Sequence, residues 1–244
     1  MDNSAGNVTG QAKQENNQDT IESWISDLGG KNSLVREKAY DSLRALGDSA
    51  LKTLVKALSN PNERIRWEAN RLLDEIGVDW TKHADAETID ALIGDLNSKD
   101  GLVRVRARLA LVAISRKAVD SLAKALDSKD QVCRWEAAKA LGQIGDPAAI
   151  TILIQSLEDE IFDVRWLASE GLIGIGRPVL APLLHRLIKR PESIWLREGA
   201  HHILHGIYTE DTALILKSIL DALESDETSL QIPLAAKVAL DKLE

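Results

Sequence analysis

The chain has 244 residues, 44% of them hydrophobic and 28% charged, and its 30 basic against 38 acidic residues give a formal net charge of −8. That content can bury a substantial core and excludes disorder throughout, while one Phe and two Tyr among abundant Leu, Ala and Ile argue for helix over a β-sandwich. The acidic balance argues against nucleic acid as a partner, and the lone Cys133 excludes an intramolecular disulfide or a multi-thiolate zinc site.

Residues 1–20 are rich in Asn, Gln, Gly and Asp and read as a disordered polar tail. No stretch approaches 18 consecutive apolar residues and the N-terminus lacks a basic flank with an apolar run, so no membrane partner is expected and the location reads as cytoplasmic. From Ile21 onward a motif recurs. An Arg preceded by an aliphatic residue or Cys133 stands at Arg36, Arg66, Arg104, Arg134, Arg165 and Arg197, with separations of 30, 38, 30, 31 and 32 residues. A period near 31 is two helices of about three turns and two short connections.

Residues 21–244 therefore read as one all-α, right-handed α-solenoid of about seven antiparallel helix pairs. The first, or A, helices fall near Ile21–Leu28, Ser49–Leu58, Glu87–Leu96, Lys117–Leu126, Ala148–Leu157, Pro178–Ile188 and Thr212–Leu223. The second, or B, helices fall near Ser33–Leu46, Glu63–Ile76, Leu102–Ser115, Val132–Ile144, Asp163–Ile175, Ile194–Ile207 and Pro233–Leu243. The long spacing reads as a loop insertion at 78–86, and residues from about 225 to 244, which lack the Arg, read as a C-terminal cap. Asn32, Asn62, Asp100 and Asp130, four residues before four of the arginines, are expected to hydrogen-bond with them in a ladder.

Val35-Arg36, Ile65-Arg66-Trp67-Glu68-Ala69, Cys133 to Pro147 and Val164-Arg165-Trp166 resemble HEAT repeats, and most nearly the short repeats named after phycobilisome lyases. The resemblance runs from about Ile21 to Leu243. It implies A helices on a convex side and B helices on a concave one. It also embraces deoxyhypusine hydroxylases, which carry His-Glu pairs after the Arg to hold two irons. The matching residues here are Trp67-Glu68, Trp135-Glu136, Trp166-Leu167 and Glu198-Gly199, without the His ligands.

Two constellations could carry function. Trp67, Trp135, Trp166 and Trp195 gather at the starts of B helices. With Glu68, Arg71, Arg106, Glu136, Lys139, Gln143, Glu170, Glu198 and His202 they would form a mixed-charge aromatic groove for a protein partner. The second is a set of histidines. Glu198, His202 and His205 share a helical face, and His201 with His205 forms another pair one turn apart, so either set could chelate a divalent metal. A second element supplying ligands is not evident, and no metal or cofactor is expected. The run Arg104, Arg106, Arg108 and Arg116 reads as a salt-bridged helix face. With no phosphate loop, nucleophile elbow or zinc helix, the chain reads as a non-enzymatic repeat scaffold binding a protein partner. The alternative is a bilin lyase or chromophore-handling subunit whose groove holds an open-chain tetrapyrrole or its carrier protein.

Overall fold

In the computed structural model, which describes residues 18–77, 79–225 and 228–243, every regular element is helical. In chain order these are α1 (residues 18–28), α2 (Ser33–Leu46), α3 (Leu51–Ala57), α4 (Glu63–Ile76), α5 (Ala86–Asp95), α6 (Gly101–Ile114), α7 (Val119–Ala125), α8 (Gln131–Ile144), α9 (Ile150–Ser156), α10 (Phe162–Ile175), α11 (Leu180–Lys189), α12 (Ile194–Gly206), α13 (Glu210–Leu223) and α14 (Thr228–Asp241). They form the antiparallel helix pairs of an α-solenoid. The polar tail expected over 1–20 lies outside the described residues, apart from residues 18–20, which already belong to α1.

The helices divide into two compact units, one ending at Ile114 and one beginning at Ser115. In the first, α3 packs on α4 and α5 on α6, while the B helices α2, α4 and α6 lie side by side. Leu54, Leu58, Leu72, Leu73, Leu92 and Leu111 fill its interior, each no more than 1% exposed. Burying a side chain of this size contributes about 1.5–3 kcal/mol. In the second unit α7 pairs with α8, α9 with α10 and α11 with α12, and α8, α10 and α12 follow one another. Cys133 is buried, as are Ala137, Ala138 and Leu141 of the same helix.

Each A helix from α3 to α11 is entered through a short 3-10 turn, and in the 78–86 segment that turn is Thr81–His83, with Trp80 buried beside it. Val78 lies outside the described residues.

The anchor arginines meet the residues four before them through the backbone, each Arg N–H donating to that residue's carbonyl, while the side chains take other partners. Asn32, Asn62, Asp100 and Asp130 are N-caps, each accepting the backbone N–H two residues on, at 3.0, 3.0, 2.8 and 2.7 Å. Short side chains at that position meet orphaned N–H groups before they can reach a guanidinium. The arginines reach further back, to carbonyls in the corner that follows the preceding A helix. Arg36 donates to Gly30 and Lys31, Arg66 to Asn60 and Pro61, Arg104 to Ser98 and Lys99, Arg134 to Ser128 and Lys129, and Arg165 to Asp159 and Glu160. Two of them also tie one pair to the next. Arg66 Nε lies 2.9 Å from an Asp95 carboxylate oxygen and Arg134 Nε 2.7 Å from Asp159.

The last pair departs from the pattern. Pro233 does not begin its helix but stands inside α14, and α14 packs on α11 while α13 packs on α12. The pair has exchanged layers, with its first helix against a B helix and its second against an A helix. Ile232, Ala236 and Ala239, fully buried, are the face that α14 contributes.

Candidate functional site

In the first unit the start of α4 opens a cleft of about 630 Å³ against the start of α6. Trp67, Glu68, Glu63, Arg36, Asp100 and Leu102 are among its lining residues. Trp67 is half-buried, with the Arg71 and Arg106 guanidiniums 5.1 and 5.2 Å from its ring centre. Arg71 is in turn ion-paired with Glu68 at 3.0 Å, and Arg106 with Asp74 at 3.1 Å. Burial pushes Glu68 above the usual carboxylate range despite the pull of Arg71, Arg36, Arg64 and Arg106. Asn70, buried behind Trp67, donates to the Arg106 carbonyl at 3.2 Å and links α4 to α6. The residues expected at the groove in this unit, Trp67, Glu68, Arg71 and Arg106, thus form one connected set.

In the second unit the expected residues separate into two groups. Trp135 is half-buried under the Lys139 ammonium, 4.6 Å from its ring centre, and Gln143 is exposed further along α8. Glu136 is only 3% exposed, which removes it from any surface set. It lies on the buried side of α8 with Cys133 and Ala140, whereas Trp135 and Lys139 are half-buried. Trp166 and Trp195 are 46% and 43% exposed. Trp166 stacks on His202, ring centres 4.7 Å apart, and His202 Nε2 lies 2.8 Å from Glu170. The Arg165 guanidinium sits over Trp195 at 4.6 Å, and Glu198 is exposed.

A second cleft in this unit is lined by Glu158, Arg186, Arg190 and Trp195. Glu158 is ion-paired with both arginines, at 3.3 Å to Arg190. Burial works against its charge, but the hydrogen bond from Ser193 and the two guanidiniums outweigh it and hold Glu158 below the usual carboxylate range.

The arginine run does not make one patch. Arg104 caps carbonyls, Arg106 pairs with Asp74, Arg108 is buried and Arg116 pairs with Asp146 at 3.2 Å.

The candidate metal trio Glu198, His202 and His205 is not assembled, because His202 is engaged with Trp166 and Glu170. His201 is half exposed and meets His205 edge to face at 4.5 Å. The residue that sequence reasoning missed is Glu224, just past α13, whose carboxylate lies 3.1 Å from His201 Nε2. The exchanged layers of the last pair bring it there, and no local signal announces that exchange.

Comparison with known proteins gives the following. A family model of HEAT repeats matches residues 21–112 and 89–172. Deoxyhypusine hydroxylase of Drosophila pseudoobscura pseudoobscura is 36% identical over 110 residues, covering 43% of this chain and 36% of that protein. The deoxyhypusine hydroxylase of Drosophila melanogaster is 32% identical over 111 residues, with the same shares. The chain thus spans 36% of the length of these curated relatives. A solved structure of human deoxyhypusine hydroxylase in complex with glycerol aligns over 77% of this chain and 73% of that one, at 23% identity and a TM-score of 0.39.

The two fly relatives overturn the expectation of a non-enzymatic scaffold, and with it the expectation that the chain is not an enzyme, since both carry the name of a hydroxylase. They are not bilin lyases either, and the matched model is that of HEAT repeats in general rather than of the phycobilisome-lyase-like subclass.

The two irons implied by that kinship do not fit the residues present. Where a His would follow the anchor Arg stand Trp67, Trp135 and Trp166, whose indoles offer no lone pair to a metal. Of the acidic partners, Glu136 is buried and Glu68 is paired with Arg71. Among the described residues, the one trio of His, Cys, Asp or Glu side chains close enough to share a cation is His201, His205 and Glu224, away from those positions.

Proposed function

Because the chain belongs to the HEAT-repeat family, and its curated relatives are deoxyhypusine hydroxylases, we propose that it is an enzyme acting on a deoxyhypusine side chain borne by a protein. The observation that carries this is the 36% and 32% identity to the two fly enzymes. The cleft at the start of α4 supports it. A deoxyhypusine side chain is a long alkyl stem with two amines, both charged near neutral pH. Trp67 and Leu102 offer the stem apolar surface, and Glu63 offers a carboxylate to an amine. A volume of about 630 Å³ is of the size that holds a flexible chain of this kind. These residues bind and orient the side chain. The residues after the anchor arginines do not fit the relatives' metal, so no step of oxygen insertion is assigned to them.

The test is to titrate the full chain with a protein carrying deoxyhypusine by calorimetry, beside the same protein carrying unmodified lysine. Saturable binding of the deoxyhypusine form alone is expected, and Trp67→Ala should weaken it about tenfold. Equal binding of the two forms, or none, overturns the reading.

A further inference from the structure

Helix α12 places His201 and His205 one turn apart on one face, and the structure turns both rings toward the end of α13. There Glu224 presents a single carboxylate oxygen to the pair. Its Oε1 is 3.1 Å from His201 Nε2 and 3.9 Å from His205 Nε2. One ligand atom of each of the three residues lies within 4.8 Å of the others. A cation with bonds of about 2.1 Å holds neighbouring ligand atoms roughly 3.0–3.5 Å apart. Side-chain rotations of about an ångström or less therefore close the trio around one ion.

We propose that His201, His205 and Glu224 form a site for a divalent first-row transition cation of the zinc type. The donor chemistry selects the class. Two imidazoles and one carboxylate suit Zn²⁺, Co²⁺, Ni²⁺ or Cu²⁺, whereas Ca²⁺ and Mg²⁺ take oxygen ligands. The site draws on two elements, which a single helix with paired histidines lacks. The three side chains are 41%, 52% and 61% exposed, so the ion enters without opening the core and keeps water on its remaining positions. His202, one residue from His201, is held on another face by Trp166 and Glu170 and is not a ligand. The site stands on these contacts alone and does not depend on the enzymatic reading.

Untagged full-length protein is titrated with Zn²⁺ by calorimetry and with Co²⁺ by visible absorption. One equivalent is expected to bind. His201→Ala or His205→Ala abolishes the saturable step, Glu224→Gln weakens it roughly tenfold or more, and His202→Ala leaves it unchanged. Thermal melts of all four variants show that each is folded at the temperature of the titration, so that a lost step is lost binding. Absence of saturable binding overturns the proposal. So does a binding step that survives Glu224→Gln but is lost with His202→Ala.

Discussion

Glu158 shows how one carboxylate joins successive helix pairs. It follows α9, and Arg186 and Arg190 reach it from α11, so an ion pair spans the joint between two repeats. Its carboxyl is held below the ordinary range, and a depressed carboxylate stabilises the fold above its unfolded value, near 4.3. The contribution disappears as pH falls through the lowered value. Glu158→Gln should therefore cost about 1 kcal/mol at pH 7, and thermal melts of variant and parent should draw closer at pH 3. A gap of equal size at both pH values would mean that packing, not charge, is lost. At this scale the sequence was informative only where one residue determines its own surroundings. Cys133 lies in the core because its place before Arg134 repeats that of Ile65 and Val164. Glu136 was misplaced because one step around a helix, about 100°, decides between core and water, and its neighbours in sequence do not show which side it faces.

Helix boundaries were legible nearly to the residue. Asn32, Asn62, Asp100 and Asp130 cap the starts of α2, α4, α6 and α8, a role the sequence reading had not given them. Pro233 misled because proline favours the first turn but does not define it, and here it is the sixth residue of α14. One ending carries a measurable strain. Gly145 leaves α8 at φ 66°, and Ser115 takes the same left-handed conformation, φ 60°, after α6. A side chain there costs about 1–2 kcal/mol, partly offset by the greater freedom glycine has when unfolded. Ser115→Gly should raise stability by about 0.5–1 kcal/mol in urea titration, and a loss would show that the serine side chain contributes more than its strain.

Over the whole molecule, repetition was legible because the anchor Arg recurs, and function was not. The tryptophans stand where the resemblance to hydroxylases would put histidines, so the motif positions pointed away from an enzyme, although a stretch of 110 residues is 36% identical to one. The exchanged last pair was equally hidden, since α13 and α14 pack by their apolar faces and either order satisfies the pattern. Stability in such an array is close to a sum of neighbouring terms. In the second unit the backbones of α8 and α10 meet at Gly142 and Gly171, where a methyl group added to Gly171 would stand 2.9 Å from Gly142 Cα. Gly171→Ala should cost about 1–3 kcal/mol. With single-tryptophan variants as probes, it should lower the urea midpoint seen by Trp166 more than that seen by Trp67. Equal shifts would show that the two units unfold as one.

The reach of the anchor arginines also sets where the chain is open to growth. Each hook closes on carbonyls five and six residues back, so the corner it spans has a nearly fixed size. The corners 58–62, 96–100, 126–130 and 157–161 have the same length, while the opposite connections range from 207–209 to 77–85. Lineages and protein engineers alike can lengthen the second kind, as the segment around Trp80 already does. A graft into the first kind would pull a guanidinium off its carbonyls and unfasten the joint it holds.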